Sequence, residues 1–151
     1  DGPVYLRLAR LASNIMEDMP FEIGKANIIR DGVDVVLFTC GLMVDYCIKA
    51  AEELEMQGVS VAVVNLHTIK PLDQPTVVQY ALKCHKVLTV EEHSVIGGLG
   101  DAVAGVITGK GAFKFKKLGV QDCFGESGRP DELLHKYGLS VDKIVQAVKE
   151  L

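Results

Sequence analysis

Arg7 and Arg10 lie three residues apart near the start of the chain, and an arginine fork suits bidentate contact with phosphate oxygens. Arg10 falls just past the carboxyl end of a short apolar run, where a strand would deliver it to a ligand. Spacing alone accommodates a phosphate clamp and a pair of solvated surface charges equally well. Glu92 and His93 form a second candidate, because a carboxylate beside an imidazole can fix its tautomer and raise its pKa. Consecutive residues of an extended chain point to opposite sides, however, so this pair is read as a polar loop or interface contact. The third candidate is Gly97-Gly98-Leu99-Gly100, which follows an apolar run and enters a helical pattern, where free amides suit a phosphate. It departs from the G-x-G-x-x-G fingerprint: counting from Gly98, the third glycine arrives late, at Gly105. A tight turn that brings a helix close to a sheet is the favoured reading. The sequence holds no G-x-S-x-G elbow and no Walker lysine. His67, His85 and His135 are isolated, and Cys40, Cys47, Cys84 and Cys123 show no C-x-x-C spacing, so neither a catalytic nucleophile nor a metal centre is expected.

The elements that would position these groups alternate between strand and helix. Residues 4–8, after Gly2-Pro3, are expected as a strand. With nothing before it to pair with, that strand reads as the last one of a preceding domain, and residues 11–24, which contain Pro20 and lack a clean period, read as a linker. Residues 26–30 and 33–39 flank Asp31-Gly32, a dipeptide that signals a hairpin. Val35-Val36-Leu37-Phe38 is apolar on both faces, as an interior strand requires. After Gly41, residues Val44, Cys47, Ile48, Ala51 and Leu54 recur at helical spacing, and Gly58 supplies the stop. Residues 59–66 form a β-branched run. Asp73 and Pro75 then open a helix whose apolar face is Val77, Val78, Ala81 and Leu82. Strands at 86–91 and within 116–120 follow, with a helix carrying Val103, Val106 and Ile107 between them. A short helix with Leu133 and Leu134 and a final one capped by Ser140 complete the chain.

The fold class that follows is α/β, a three-layer α/β/α arrangement around a mostly parallel sheet with residues 26–30 as one antiparallel edge strand. Such sheets bind ligands outside the carboxyl ends of their strands, which gathers Thr39-Cys40-Gly41, residues 91–94 and residues 122–127 at one edge.

Length and charge narrow the function classes. The 151 residues suit one hydrophobic core, and a formal charge of −4 argues against nucleic acid as a partner. Lys114, Lys116 and Lys117 alternate with Phe113 and Phe115, as on a strand with one wet face. No apolar run is long enough to cross a bilayer, so no membrane partner is expected. Thiols set among apolar neighbours suit a reducing, cytoplasmic setting. The chain opens on Asp1, not Met, and further sequence upstream is expected.

Several segments, in order, resemble the C-terminal domain of transketolases. They are Gly24-Lys25-Ala26 with Arg30-Asp31-Gly32, the helix after Thr39-Cys40-Gly41, and Val63-Val64-Asn65-Leu66-His67-Thr68-Ile69-Lys70-Pro71-Leu72-Asp73. Val90-Glu91-Glu92-His93-Ser94-Val95-Ile96-Gly97-Gly98-Leu99-Gly100 and Phe124-Gly125-Glu126-Ser127-Gly128 complete the likeness, which covers residues 24–151. Pro3-Val4-Tyr5-Leu6-Arg7-Leu8-Ala9-Arg10 is similar to the last strand of the pyrimidine-binding domain that precedes it in such enzymes. Residues 1–23 are accordingly expected to be the end of that domain plus a linker.

The resemblance implies an enzyme that transfers two-carbon ketol units between sugar phosphates with thiamine diphosphate and a divalent metal. In the family an arginine at the position of Arg10 helps hold the sugar phosphate, with Arg7 a lesser candidate. The cofactor-binding domains are not in this sequence, so it implies an architectural domain with no catalytic residue and no complete active site. Its partners would be the remaining domains or subunit of the enzyme, in a homodimeric parent. The style of the 91–100 loop is similar to that of split, two-subunit transketolases. Three alternatives stand beside this reading. One is the C-terminal domain of 1-deoxyxylulose-5-phosphate synthase or of a 2-oxoacid dehydrogenase β subunit. The others are a free-standing anion- or nucleotide-binding module and a purely structural assembly domain. Phe124-Gly125-Glu126-Ser127-Gly128 favours transketolase.

An arginine–phosphate contact contributes about 1.5–3 kcal/mol, which is tenfold to more than a hundredfold in affinity. Arg10→Ala in the intact parent enzyme is therefore expected to raise the KM for sugar phosphate by at least about tenfold in steady-state kinetics. An unchanged KM removes Arg10 from the substrate site.

Overall fold

The computed structural model describes residues 2–6 and 19–151; Arg7, Arg10 and residues 11–18 of the expected linker lie outside the described residues. Residues 2–6 carry no strand, and Val4, Tyr5 and Leu6 stand exposed, as an apolar run does when no neighbouring strand offers it hydrogen bonds.

The apolar runs become β1 (Asn27–Arg30), β2 (Val35–Thr39), β3 (Val61–Asn65), β4 (Lys86–Ser94) and β5 (Lys114–Val120). Between and after them come α1 (Met43–Glu55), α2 (Gln74–Cys84), α3 (Leu99–Ile107), α4 (Pro130–Lys136) and α5 (Val141–Lys149). The strands form one five-stranded sheet in the order β1-β3-β2-β4-β5. All neighbours pair in parallel except β1 with β3.

Every residue of β2 is buried, because helices cover both faces of the sheet. Val35 and Leu37 pack with Met43, Cys47 and Leu54 of α1 and with Ile144 and Val148 of α5. Val36 and Phe38 pack on the other face with Val77 and Ala81 of α2 and with Leu99 and Val103 of α3. The three-layer α/β/α architecture is thus present, with a core on each side of the sheet.

The antiparallel edge strand is in place, but its partner is not the expected one. β1 pairs with β3 and not with β2, so Asp31-Gly32 closes no hairpin. The connection instead passes over the start of β3. A Cβ on Gly32 would sit 2.3 Å from the Val61 carbonyl carbon and 2.4 Å from the Ala62 nitrogen, so only glycine fits the crossing. The Asp34 amide donates to the Ser60 carbonyl at 2.9 Å, and the Ser60 amide donates to Asp34 Oδ2 at 2.7 Å. Asp31 receives the Lys83 ammonium at 2.6 Å and the Tyr80 hydroxyl at 3.0 Å, both from α2. Those two donors and the Gly32 amide hold its carboxyl below the ordinary value. Burial and the facing Asp31 carboxylate push Tyr80 up to about 12.

Tyr80 also shows how α2 differs from its expected face. Val77, Tyr80, Ala81 and Cys84 are buried, whereas Leu82 is largely exposed. Asp73 caps this helix through the Thr76 amide at 3.2 Å and also accepts the Ala26 amide at 2.8 Å, which ties α2 to the segment entering β1. Burial works to raise the Asp73 carboxyl, but these amides and the Thr76 hydroxyl hold it below the ordinary value. Ser140 occupies the N-cap position of α5 but donates its hydroxyl to the Asp142 carboxylate at 2.5 Å instead of capping a backbone amide. The lysines of β5 lie on both faces, not on one wet face: Lys116 pairs with Glu150 of α5, and Lys117 with Asp101 of α3 at 2.7 Å.

Gly32→Ala is expected to lower the free energy of unfolding by about 2–3 kcal/mol in urea titration, because the crossing must open to admit the methyl group. Gly105→Ala is the control: its Cβ meets nothing within 4 Å on the exposed side of α3, so it should gain about 0.5–1 kcal/mol.

Candidate functional site

The carboxyl ends of β2, β4 and β5 converge as expected, and the group at their centre is Glu91. The residue is 2% exposed, at the end of a buried run in β4. Oε2 accepts the Leu99 amide at 2.7 Å and Oε1 accepts the Gly100 amide at 2.8 Å. A carboxylate thus fills the first turn of α3, where unpaired amides and the helix dipole favour negative charge. The glycines of this loop fit that contact. A Cβ on Gly98 would lie 2.1 Å from Glu91 Oε2, and one on Gly100 would lie 2.5 Å from the Lys117 side chain and 2.9 Å from Thr89 Oγ1. The Gly97-Gly98-Leu99-Gly100 turn therefore brings helix and sheet together around an internal anion.

A second pair fixes the outer side of the loop. Asp101 Oδ2 accepts the Gly97 amide at 2.6 Å, while Lys117 reaches Asp101 Oδ1 at 2.7 Å and the Val95 carbonyl at 2.8 Å. Lys117 and the Gly97 amide hold the Asp101 carboxyl below its usual value.

Glu92 and His93 both lie on the exposed end of β4, which extends to Ser94, past the expected end at residue 91. The structure does not bring their side chains together as a pair. Alternate residues of a strand share a side, so the carboxylate beside His93 is Glu91, whose Oε2 lies 4.0 Å from His93 Nδ1. That nitrogen is 2.9 Å from the Ser94 carbonyl, which only accepts, so Nδ1 carries the proton. His93 is 61% exposed, so the arrangement is a wet edge and not an enclosed acid–base dyad.

Three of the thiols are not activated as nucleophiles. Burial raises Cys40 and Cys84 to about 11 and Cys47 to about 12, so all three stay protonated at neutral pH. Cys123 is exposed on the 121–129 loop. Thr39 and Asn65 are register partners at the ends of β2 and β3. Asn65 Oδ1 and His67 Nε2 are buried without a hydrogen-bond partner among the described residues.

Thiamine diphosphate needs a receptor for two phosphates and a bound divalent cation. The amides best placed to receive phosphate are taken by Glu91, and among the described residues no three His, Cys, Asp or Glu side chains gather as metal ligands. The described residues do not fit that cofactor.

Sequence reading placed the edge but missed Glu91. Its signal was present: the first carboxylate after the apolar run of a strand, eight residues before a glycine-flanked helix start.

Comparison with known proteins gives a consistent picture. The family model for the transketolase C-terminal domain matches residues 24–144. The 6-deoxy-6-sulfo-D-fructose transketolase subunit SqwH of Clostridium sp. (strain MSTE9) is 43% identical over 153 residues, covering 100% of this chain and 48% of that protein. The 1-deoxy-D-xylulose-5-phosphate synthase of Desulforudis audaxviator (strain MP104C) is 35% identical, with 99% of this chain and 24% of that protein covered. A solved structure described as a split gene transketolase, inactive beta4 tetramer, superposes with a TM-score of 0.85 at 40% identity. That match covers 90% of this chain and 45% of the other. The chain thus spans about half the length of the first relative and of the solved structure.

Glu91→Ala is expected to cost about 2–4 kcal/mol, since it leaves two buried amides without an acceptor. Glu91→Gln keeps one acceptor oxygen and should cost roughly half as much. Urea unfolding gives the totals, and hydrogen exchange at the Leu99 and Gly100 amides localises the loss to the first turn of α3.

Proposed function

Because this chain belongs to the transketolase family, whose C-terminal domain it carries, we propose that it is the architectural C-terminal part of a thiamine-diphosphate enzyme transferring two-carbon ketol units between sugar phosphates. The observation that carries this reading is the Glu91 carboxylate in the first turn of α3. The place where an open parallel sheet usually receives a phosphate is occupied by the protein's own side chain, so the edge serves structure. The cofactor, its divalent metal and the catalytic groups then belong to other domains or to another subunit of the parent.

The boundaries follow the same reading. Residues 1–23 end a pyrimidine-binding domain and link it to residues 24–151. The exposed Val4, Tyr5 and Leu6 support this, because they have the character of a strand that completes a sheet elsewhere. Arg10, with Arg7 beside it, would then reach the substrate phosphate from that preceding domain. The parent is a homodimeric, cytoplasmic enzyme. Among the described residues no helix is long and apolar enough to cross a membrane.

Greater similarity to a transketolase subunit than to a 1-deoxy-D-xylulose-5-phosphate synthase favours ketol transfer over synthase chemistry. The test is an assay of the parent enzyme with thiamine diphosphate, magnesium and a panel of ketose phosphate donors and aldose acceptors. Ketol transfer by the parent and none by the 151-residue chain is the expected result. Formation of 1-deoxy-D-xylulose 5-phosphate by the parent, or turnover by the chain unaided, overturns it.

A further inference from the structure

β5 is the last strand in the sheet order, so among the described residues its outer edge faces no further strand. The Lys114 amide donates to the His85 carbonyl at 2.9 Å, and the Val95 amide donates to the Val120 carbonyl at 3.0 Å. Even-numbered residues of β5 thus turn their backbone groups toward β4. Successive residues of a strand turn theirs to opposite sides, which leaves the amides and carbonyls of Phe115 and Lys117 pointing outward. The open stretch ends at Gly119, whose carbonyl accepts the Gln121 side-chain amide at 3.1 Å. Lysines on an edge strand commonly repel an incoming strand. Two of the three in β5 are drawn off the edge, Lys116 by Glu150 of α5 and Lys117 by Asp101 of α3.

Beside this edge, between β5 and α5, lies a cleft of about 170 Å³. Gly138 and Ala147 are too small to fill it, and Leu118 is left half-buried in its wall. Lys116, Lys143 and Glu150 form its rim. Glu150 is occupied by Lys116 and by the Gln146 amide at 3.0 Å, whereas Lys143 enters no salt bridge among the described residues. The surroundings are basic in a chain whose formal charge is −4. No Asp or Glu occurs in residues 74–90 or 102–121, which run through α2 into β4 and through α3 into β5. Lys86 and Lys114 are register partners on neighbouring strands, two residues before Leu88 and Lys116, so both lie on the α5 face. Like charges placed opposite each other destabilise a sheet, and an anion between them removes that cost.

Open backbone groups along an edge and a side-chain pocket next to them are the two parts of a strand-addition site. We propose that the outer edge of β5 receives an extended acidic peptide segment of a partner protein, which joins the sheet as an added strand and seats one aliphatic side chain in the cleft against Leu118. Main-chain bonds to Phe115 and Lys117 hold the segment whatever its sequence. Side chains of an added strand alternate, so every second residue faces α5 and the cleft. Carboxylates on the segment meet Lys114 and Lys143, the lysines at this place that no carboxylate holds. Charge therefore selects an acidic segment, and the apolar wall selects an aliphatic residue within it.

The probe is a capped synthetic peptide of alternating glutamate and valine, about seven residues long, added to the parent enzyme. Its controls are the lysine–valine counterpart and the glutamate–valine peptide N-methylated at alternate amides, which cannot pair along an edge. Hydrogen exchange across residues 114–118 is followed, with fluorescence anisotropy of the labelled peptide alongside. At about 1 mM the glutamate–valine peptide should slow exchange of the Phe115 and Lys117 amides at least tenfold, and neither control should. Lys114→Glu and Lys143→Glu should each weaken its binding about fivefold. Lys70→Glu, on the exposed loop after β3, should leave binding unchanged. No slowing at that concentration, or equal slowing by either control peptide, overturns the proposal. Amides already protected in the peptide-free enzyme overturn it as well: protection lost on dilution assigns the edge to a second copy, and protection that survives dilution assigns it to another part of the parent.

Discussion

A buried carboxylate needs donors, and the first turn of a helix needs an acceptor; Glu91 and α3 satisfy each other. The contact sets the height of α3 above the sheet and demands glycine at positions 98 and 100. It also leaves the 92–97 segment to be held from outside by Lys117 and Asp101. A phosphate seated on those amides would have to displace a charged group already in register. At Glu91 the sheet edge that often carries chemistry in this fold makes a structural joint.

Two further constraints act at the opposite end of the sheet. The link from β1 to β2 crosses β3 at Gly32, and Asp31 anchors that crossing to Tyr80 and Lys83 of α2. β1 is thereby carried to the far edge, and the chain enters the domain beside the loop that follows β3. A hairpin would instead have placed β1 next to β2 and removed β3 from that neighbourhood. The route of one short connection thus decides at which edge of the sheet β1 lies.

The thiols and histidines fit the same division of labour. Cys40, Cys47 and Cys84 are held protonated by burial and act as small apolar side chains. His93 stands in solvent at the rim, and His67 is packed beneath Phe21. None is enclosed with a partner that would activate it.

Local pattern alone determined the alternation of strands and helices, the interior character of β2, the buried face of α5 and the edge where loops would meet. These depend on periodicity and turn residues, which act over a few neighbouring positions. The family could be read the same way, from motifs in order along the chain. Tertiary structure decided the rest: β3 as the partner of β1, Tyr80 in place of Leu82 on the inner face of α2, and Glu91 rather than Glu92 beside His93. The first two depend on groups distant in sequence meeting at close range, and the third on β4 continuing as strand to Ser94, past the end its apolar run suggests. Asp-Gly signals a turn wherever it occurs; only the backbone of Val61 lying against Gly32 made it a crossing.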